Sequence, residues 1–311
     1  MSAIAGFEPS GAAEFAPGRL FWRRFCRHRL ALASGGLLVL IALAALAAPL
    51  IGSWLGLAVD RVDLFNQYAP PDASHPLGTD EAGRDVLMRL LHGGRISLLV
   101  GLVAAIGAAT LGTAIGLFAG YFGGRLDALL MRTTDGVIAL PILPLLIVLA
   151  AIDLGKLGLP AAVTDSESVS LYRIIVIIAL FGWTTVARLV RSATLSVRTR
   201  EFVRAAEALG ARPGRIMLRH ILPNVVSPII VATTLSIGSI ILLESVLSFL
   251  GLGIQPPVAS WGNMLSNAQE LITRAPRLAV LPGLAIFVTV MAFNFLGDGL
   301  QDALDPRATR R

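Results

Sequence analysis

The sequence predicts an all-α polytopic membrane protein with six membrane-crossing helices and both termini in the cytoplasm. Three observations lead there. Of 311 residues, 55% are hydrophobic and 15% charged, whereas soluble domains carry roughly a quarter charged residues. The mean hydropathy is +0.75, and the apolar residues gather into runs near the ~20 residues that cross a bilayer core. The net charge of +6 comes from arginine, Lys156 being the only lysine. These arginines flank the apolar runs, which is the pattern of membrane orientation rather than of nucleic-acid binding.

The first crossing is expected at 30–52, in an apolar run that reaches 59. Ala45-Leu46-Ala47 has the small residues of a cleavage site, but the run exceeds the 7–15 residues of a signal core, so a retained anchor is expected. The second apolar run covers 96–124 and the third 136–152, where Pro141 and Pro144 should kink the helix. The fourth, 174–187, is short and spans only if Arg173 and Arg188 snorkel to the headgroup layers. The fifth covers 225–250 and the sixth 278–297. An even number of crossings puts three arginine-rich segments on one side: 1–29, the loop between the fourth and fifth runs, and the tail 299–311. Arg84, Arg89 and Arg95 on the other side depart mildly from that rule. Residues 1–18 lack periodicity and are expected to be disordered.

Between these runs, 53–95 is expected to form an outer loop with a short amphipathic helix over 79–92. Thr79 would cap it, and Asp80–Arg84 and Asp85–Arg89 would pair at i,i+4. Asp80, Arg84 and Asp85 form either an interfacial helix face or a contact for an external protein. Gly251, Gly253, Pro256 and Pro257 should end the fifth helix in an outer loop, with Trp261 as an interfacial anchor. Glu244 stands alone inside an apolar run, either lining a solute path or fixing helix packing by a hydrogen bond.

The segment 199–223 is the most telling. Thr199 is expected to cap a helix with Glu201 in its first turn, and Phe202, Ala205, Ala206 and Leu209 share one face. Gly210 suits the position past the helix end, and Pro213 prevents continuation. A second short helix over 214–222 should lead to Pro223 and the fifth crossing. Such an arginine-studded segment either lies at the lipid headgroups or presents Ala205, Ala206 and Gly210 for close approach by a partner.

Catalytic signals are missing. No Gly-x4-Gly-Lys-Ser/Thr, HExxH or GxSxG occurs, the four histidines have no ligand spacing, and Cys26 is the only cysteine. Neither enzyme activity nor a cofactor or metal is expected. Asp298, Asp302 and Asp305 form either a cation site or, the preferred reading, a solvated helix end that Pro306 stops.

The stretch Ala205-Ala206, three residues, Gly210, then Leu222-Pro223 resembles the "EAA" loop of ATP-binding-cassette (ABC) importer permeases. The Glu position of that pattern holds Arg204, and its Ile position holds His220. Four further blocks resemble the C-type permease of the dipeptide/oligopeptide branch: HPLGTDEAGRDVLMRLLHGGR (75–95), GYFGGRLDALLMRTTD (120–135), SFLGLGIQPPVASWGNML (248–265) and FNFLGDGLQDALDPR (293–307). The resemblance implies a type I importer transmembrane domain, with a five-helix core over 96–298, in the bacterial inner membrane. It further implies a heterodimer with a second permease, two ABC ATPase subunits that hydrolyse ATP and dock on 199–223, and an extracytoplasmic substrate-binding protein. The solute would be a peptide or a similarly carried compound. A self-sufficient secondary transporter or channel is the alternative.

Overall fold

A computed structural model describes residues 17–152, 155, 160 and 168–304. Lys156, Asp305, Pro306 and the tail beyond lie outside these residues, as does nearly all of the segment expected to be disordered.

Every regular element among the described residues is helical. In chain order they are α1 (Pro17–Phe25), α2 (Arg29–Leu46), α3 (Ala48–Leu55), α4 (Val86–Phe122), α5 (Gly124–Ala139), α6 (Ile142–Ala150), α7 (Val169–Gly182), α8 (Thr184–Arg198), α9 (Glu201–Ala208), α10 (Pro213–Ile216), α11 (Leu222–Phe249), α12 (Ala268–Arg274) and α13 (Arg277–Leu304). A π turn, Met217–Ile221, joins α10 to α11. Five stretches are long and apolar enough to cross a membrane: Arg29–Leu46, Val86–Phe122, Val169–Arg198, Pro213–Phe249 and Arg277–Leu304. The bent pair α5–α6 makes a sixth if it counts as one crossing.

Large apolar side chains point outward along these helices. Leu40, Leu43, Leu46, Val176, Val280 and Phe287 are each more than half exposed. Water would not tolerate that much contiguous apolar surface, but lipid chains do.

Three expectations are corrected here. The second crossing begins at Val86 rather than 96, so no separate helix forms over 79–92; that stretch is a tight loop followed by α4. The third crossing breaks rather than kinks. α5 and α6 meet at 83°, with Leu140 extended before Pro141, as steric crowding ahead of proline requires. The fourth crossing runs through α7 and α8 and is much longer than 174–187, because Val186, Val190 and Val197 continue its buried face.

The tightest helix pair is α4 with α8. Gly112, Gly116 and Gly120 follow one another at four-residue steps along α4. A Cβ there would come within 2.5 Å of the Trp183 carbonyl, 2.5 Å of the Ala187 carbonyl and 2.6 Å of Thr194 Cβ. Small residues let backbones meet where no hydrophobic effect drives helices together.

One core cluster fills the centre, from Val100 and Ala104 to Ile178, Ile241 and Trp261. A second joins Leu117, Val190, Val203, Ile216 and Val225 at one end. α9 lies at that end, and α1 packs there through Phe25 against Ala303 of α13. Residues 56–85 and 250–276 lie at the opposite end, where Arg277 Nη2 donates to the carbonyls of Tyr68 (2.9 Å) and Ala69 (2.6 Å).

Candidate functional site

The α9 surface begins with local geometry. Arg200, in extended conformation, precedes the helix and makes no side-chain cap. Thr199 instead ends α8, and its hydroxyl donates to the Ser196 carbonyl at 3.0 Å, which corrects its expected role as the cap of α9. α9 stops as the sequence suggests. Gly210 adopts φ +77°, its N–H donates to the Glu207 carbonyl (2.9 Å), and the Ala211 N–H donates to the Ala206 carbonyl (3.0 Å). This is the left-handed glycine stop that returns the chain without a Cβ penalty.

The faces of α9 divide differently from the sequence reading. Val203 is fully buried, and Ala206 packs half-buried against the cluster to which Val203 belongs. Phe202, Ala205 and Leu209 point away, with Leu209 88% exposed. Ala206 therefore belongs to the inner face, because helical spacing puts it three residues from Val203. Glu201, Gly210 and Pro223 are also exposed, and Leu222 is half-buried. The expected helix over 214–222 runs into α11 through the π turn. Pro223 has no N–H for the Arg219 carbonyl, so a regular α-turn could not be completed there. Arg198 stacks over the Tyr121 ring at 5.7 Å and ties the end of α8 to α4.

A cavity of about 1090 Å³ opens between α5–α6, α7–α8 and α11. Its wall mixes apolar residues such as Leu146, Phe181 and Leu243 with hydroxyls from Thr185, Ser227 and Ser239. Arg188 also lines it, where the sequence had it reaching a headgroup layer at the end of a short crossing.

Glu244 does not line this cavity. It is fully buried, and its Oε1 accepts from the hydroxyls of Ser248 (2.7 Å) and Ser260 (3.0 Å), with Ser97 at 3.4 Å from Oε2. Of its two readings, the structure favours packing over the solute path. Ser97 lies on α4 and Ser260 on the loop after α11, so one carboxylate joins three segments. Trp261 completes the junction: its Nε1 donates to the Leu90 carbonyl at 2.9 Å and its ring covers Gly94. It is a buried wedge, 3% exposed, not an interfacial anchor.

Glu244→Leu should lower stability by about 2 kcal/mol, because buried hydroxyls lose their acceptor. Glu244→Gln keeps an acceptor and should stay close to wild type. Thermal unfolding in detergent, with proteolysis of 250–266, reads both. Equal melting temperatures for the two variants would refute the junction.

At the same end, Asp80, Arg84 and Asp85 are turned into their own loop. Asp80 accepts from the N–H groups of Ala82 and Arg84 (2.9 Å each) and pairs with Arg84 Nε (2.8 Å) and Arg89 Nε (3.3 Å). Asp85 caps α4 by accepting from the Met88 N–H (2.8 Å), and its other oxygen meets His75 Nδ1 at 2.9 Å. The expected Asp85–Arg89 pair is thus replaced by Asp80–Arg89, since Asp85 serves as the helix cap. Asp80 and Asp85 are buried. The outward surface is made by others, notably Leu64 and the fully exposed Phe65. On that loop Asp63 titrates below the usual carboxylate range, held by Asn66 and the Phe65 N–H, and so does Asp72, held by Ser74 and the His75 N–H.

Residues 112–310 match the family described as binding-protein-dependent transport system inner membrane component. Residues 16–71 match the N-terminal TM domain of oligopeptide transport permease C. The chain is 40% identical over 291 residues to the dipeptide transport system permease protein DppC of Alkalihalophilus pseudofirmus, covering 94% of this chain and 90% of that protein. It is 40% identical to the glutathione transport system permease protein GsiD of Pectobacterium atrosepticum, covering 94% and 91%. It is 41% identical to GsiD of Escherichia coli O157:H7, with the same coverage.

Proposed function

Because the chain belongs to the family of inner-membrane components of binding-protein-dependent transport systems, we propose that α9 is the contact through which a separate ATPase drives it. The chain is a permease subunit of a peptide ABC importer in the bacterial inner membrane. ATP hydrolysis belongs to partner subunits, and a substrate-binding protein delivers the solute. The finer reading is a heterodimer with a second permease, above two ATPase subunits, with α9 and both termini in the cytoplasm.

The exposed face of α9 is the observation that carries this reading. Phe202, Ala205 and Leu209 form a small apolar surface at the end of the bundle where α1 and the end of α13 also lie. Behind it, Val203 and Ala206 pack in the cluster built by α10, the π turn and the start of α11, so a push on α9 passes through that turn to a long helix. α11 also lines the cavity between α5 and α8, which suits half of a path that the second permease would complete. The opposite end, built by 56–85 and 250–276, would meet the binding protein. Asp80, Arg84 and Asp85 would serve that contact by holding the loop in shape.

A pull-down of the tagged chain from native membranes in mild detergent tests the assembly. A second permease and ATPase subunits should follow it. A lone or purely homo-oligomeric chain, in detergent that keeps known complexes intact, would favour the self-sufficient transporter.

A further inference from the structure

Among the described residues lining the cavity, Arg188 is the one charged side chain. Its Nη2 donates to Asp135 Oδ1 at 2.5 Å, and the two side chains are 50% and 57% exposed. One turn further along α8, Arg191 binds Asp127 through two hydrogen bonds, Nε to Oδ1 and Nη2 to Oδ2. That pair is only 33% and 16% exposed. Both pairs connect α5 to α8. The paired, more enclosed bonds of Arg191 make the better brace, while an exposed single-bond pair stabilises little. Arg188 is therefore not needed to hold the two helices together. A charge on a crossing helix that faces a cavity usually serves what passes through.

Resting on the reading of the chain as a peptide permease, we infer that Arg188 is a carboxylate subsite of the path, taking the C-terminal carboxylate of the peptide in place of Asp135. A permease that carries varied side chains can rely only on groups that every peptide shares, and the terminal carboxylate is one. The exchange costs little. The guanidinium trades one carboxylate for another, to which its planar fork donates two hydrogen bonds, and the released Asp135 side chain is 57% exposed. The mixed wall around it, apolar with hydroxyls from Thr184, Thr185 and Ser227, accepts side chains of different character.

The test uses the complete importer in proteoliposomes, with a labelled tripeptide delivered by its binding protein. Arg188→Gln should lower uptake roughly tenfold or more, since the carboxylate loses its charge-assisted pairing. Asp135→Asn should stay within about twofold of wild type. The exchange variant, Arg188→Asp with Asp135→Arg, keeps an ion pair between α5 and α8 with its polarity reversed. It should assemble and hydrolyse ATP, yet remain roughly tenfold low in uptake. Wild-type uptake by the exchange variant would show that the pair is a brace and overturn the subsite. So would an equal loss in Asp135→Asn and Arg188→Gln. A wild-type complex that carries no peptide would overturn the parent reading itself and remove the subsite's ligand with it.

Discussion

Gly116→Leu should all but remove the protein from the membrane fraction. Even a Cβ at this position stands 2.5 Å from the Ala187 carbonyl and 2.8 Å from Val190 Cβ, and the first of these atoms is backbone. Backbone cannot rotate out of the way, so α4 and α8 must part. Overpacking a core costs typically 1–3 kcal/mol, and separating a whole helix pair takes it to the upper end or beyond. Folded proteins have only about 5–15 kcal/mol to lose. The measurement is the amount of tagged chain in washed membranes, with Gly36→Leu as the control, since nothing lies within 4 Å of a Cβ there. Equal amounts of the two variants would show that the α4–α8 contact is not what holds the bundle.

Leu209→Asp should leave the chain folded and sharply weaken its hold on the ATPase. The side chain is 88% exposed and touches no core cluster, so its removal costs the fold little. Burying a leucine against a partner stabilises by about 1.5–3 kcal/mol, and a carboxylate in the same place adds a desolvation cost. Association should weaken by at least roughly tenfold, and by about 100-fold if the leucine is fully covered. Gly210→Trp attacks the same surface through bulk and through a left-handed backbone that a tryptophan resists. Co-purification of the ATPase subunits with each variant decides the matter. Full recovery with Leu209→Asp would move the contact elsewhere on the loop.

Membrane class and five of the six expected crossings were legible because long apolar runs have few other uses. The stop of α9 was legible too, since a glycine followed by proline leaves a helix little choice. The failures came where tertiary contact decides. Val203 and Ala206 turned inward because α10 and the π turn lie beneath them, and nothing in 199–210 alone announces that neighbour. Trp261 looked like an interfacial anchor because tryptophans often are. The glycines that receive its ring, Gly93 and Gly94, lie more than 160 residues earlier in the chain. Asp80 kept Arg84 and gained Arg89, while Asp85 gave up Arg89, because a cap on the long α4 competes for it. Glu244 was noticed as an oddity; Ser248 lies one turn away on the same helix, but Ser97 on α4 and Ser260 on the loop after α11 reach it only through the fold.

The π turn at Met217–Ile221 fixes which way α9 looks. A π turn holds one residue more than an α-turn, and each residue of an α-helix advances about 100° around the axis. Deleting one residue there, with every contact residue left in place, would swing α10 and α9 about a quarter turn around α11. Leu209 would then be aimed along a different side of the bundle. The direction in which α9 faces is therefore written in the count of residues between Pro213 and Pro223, as much as in their identity.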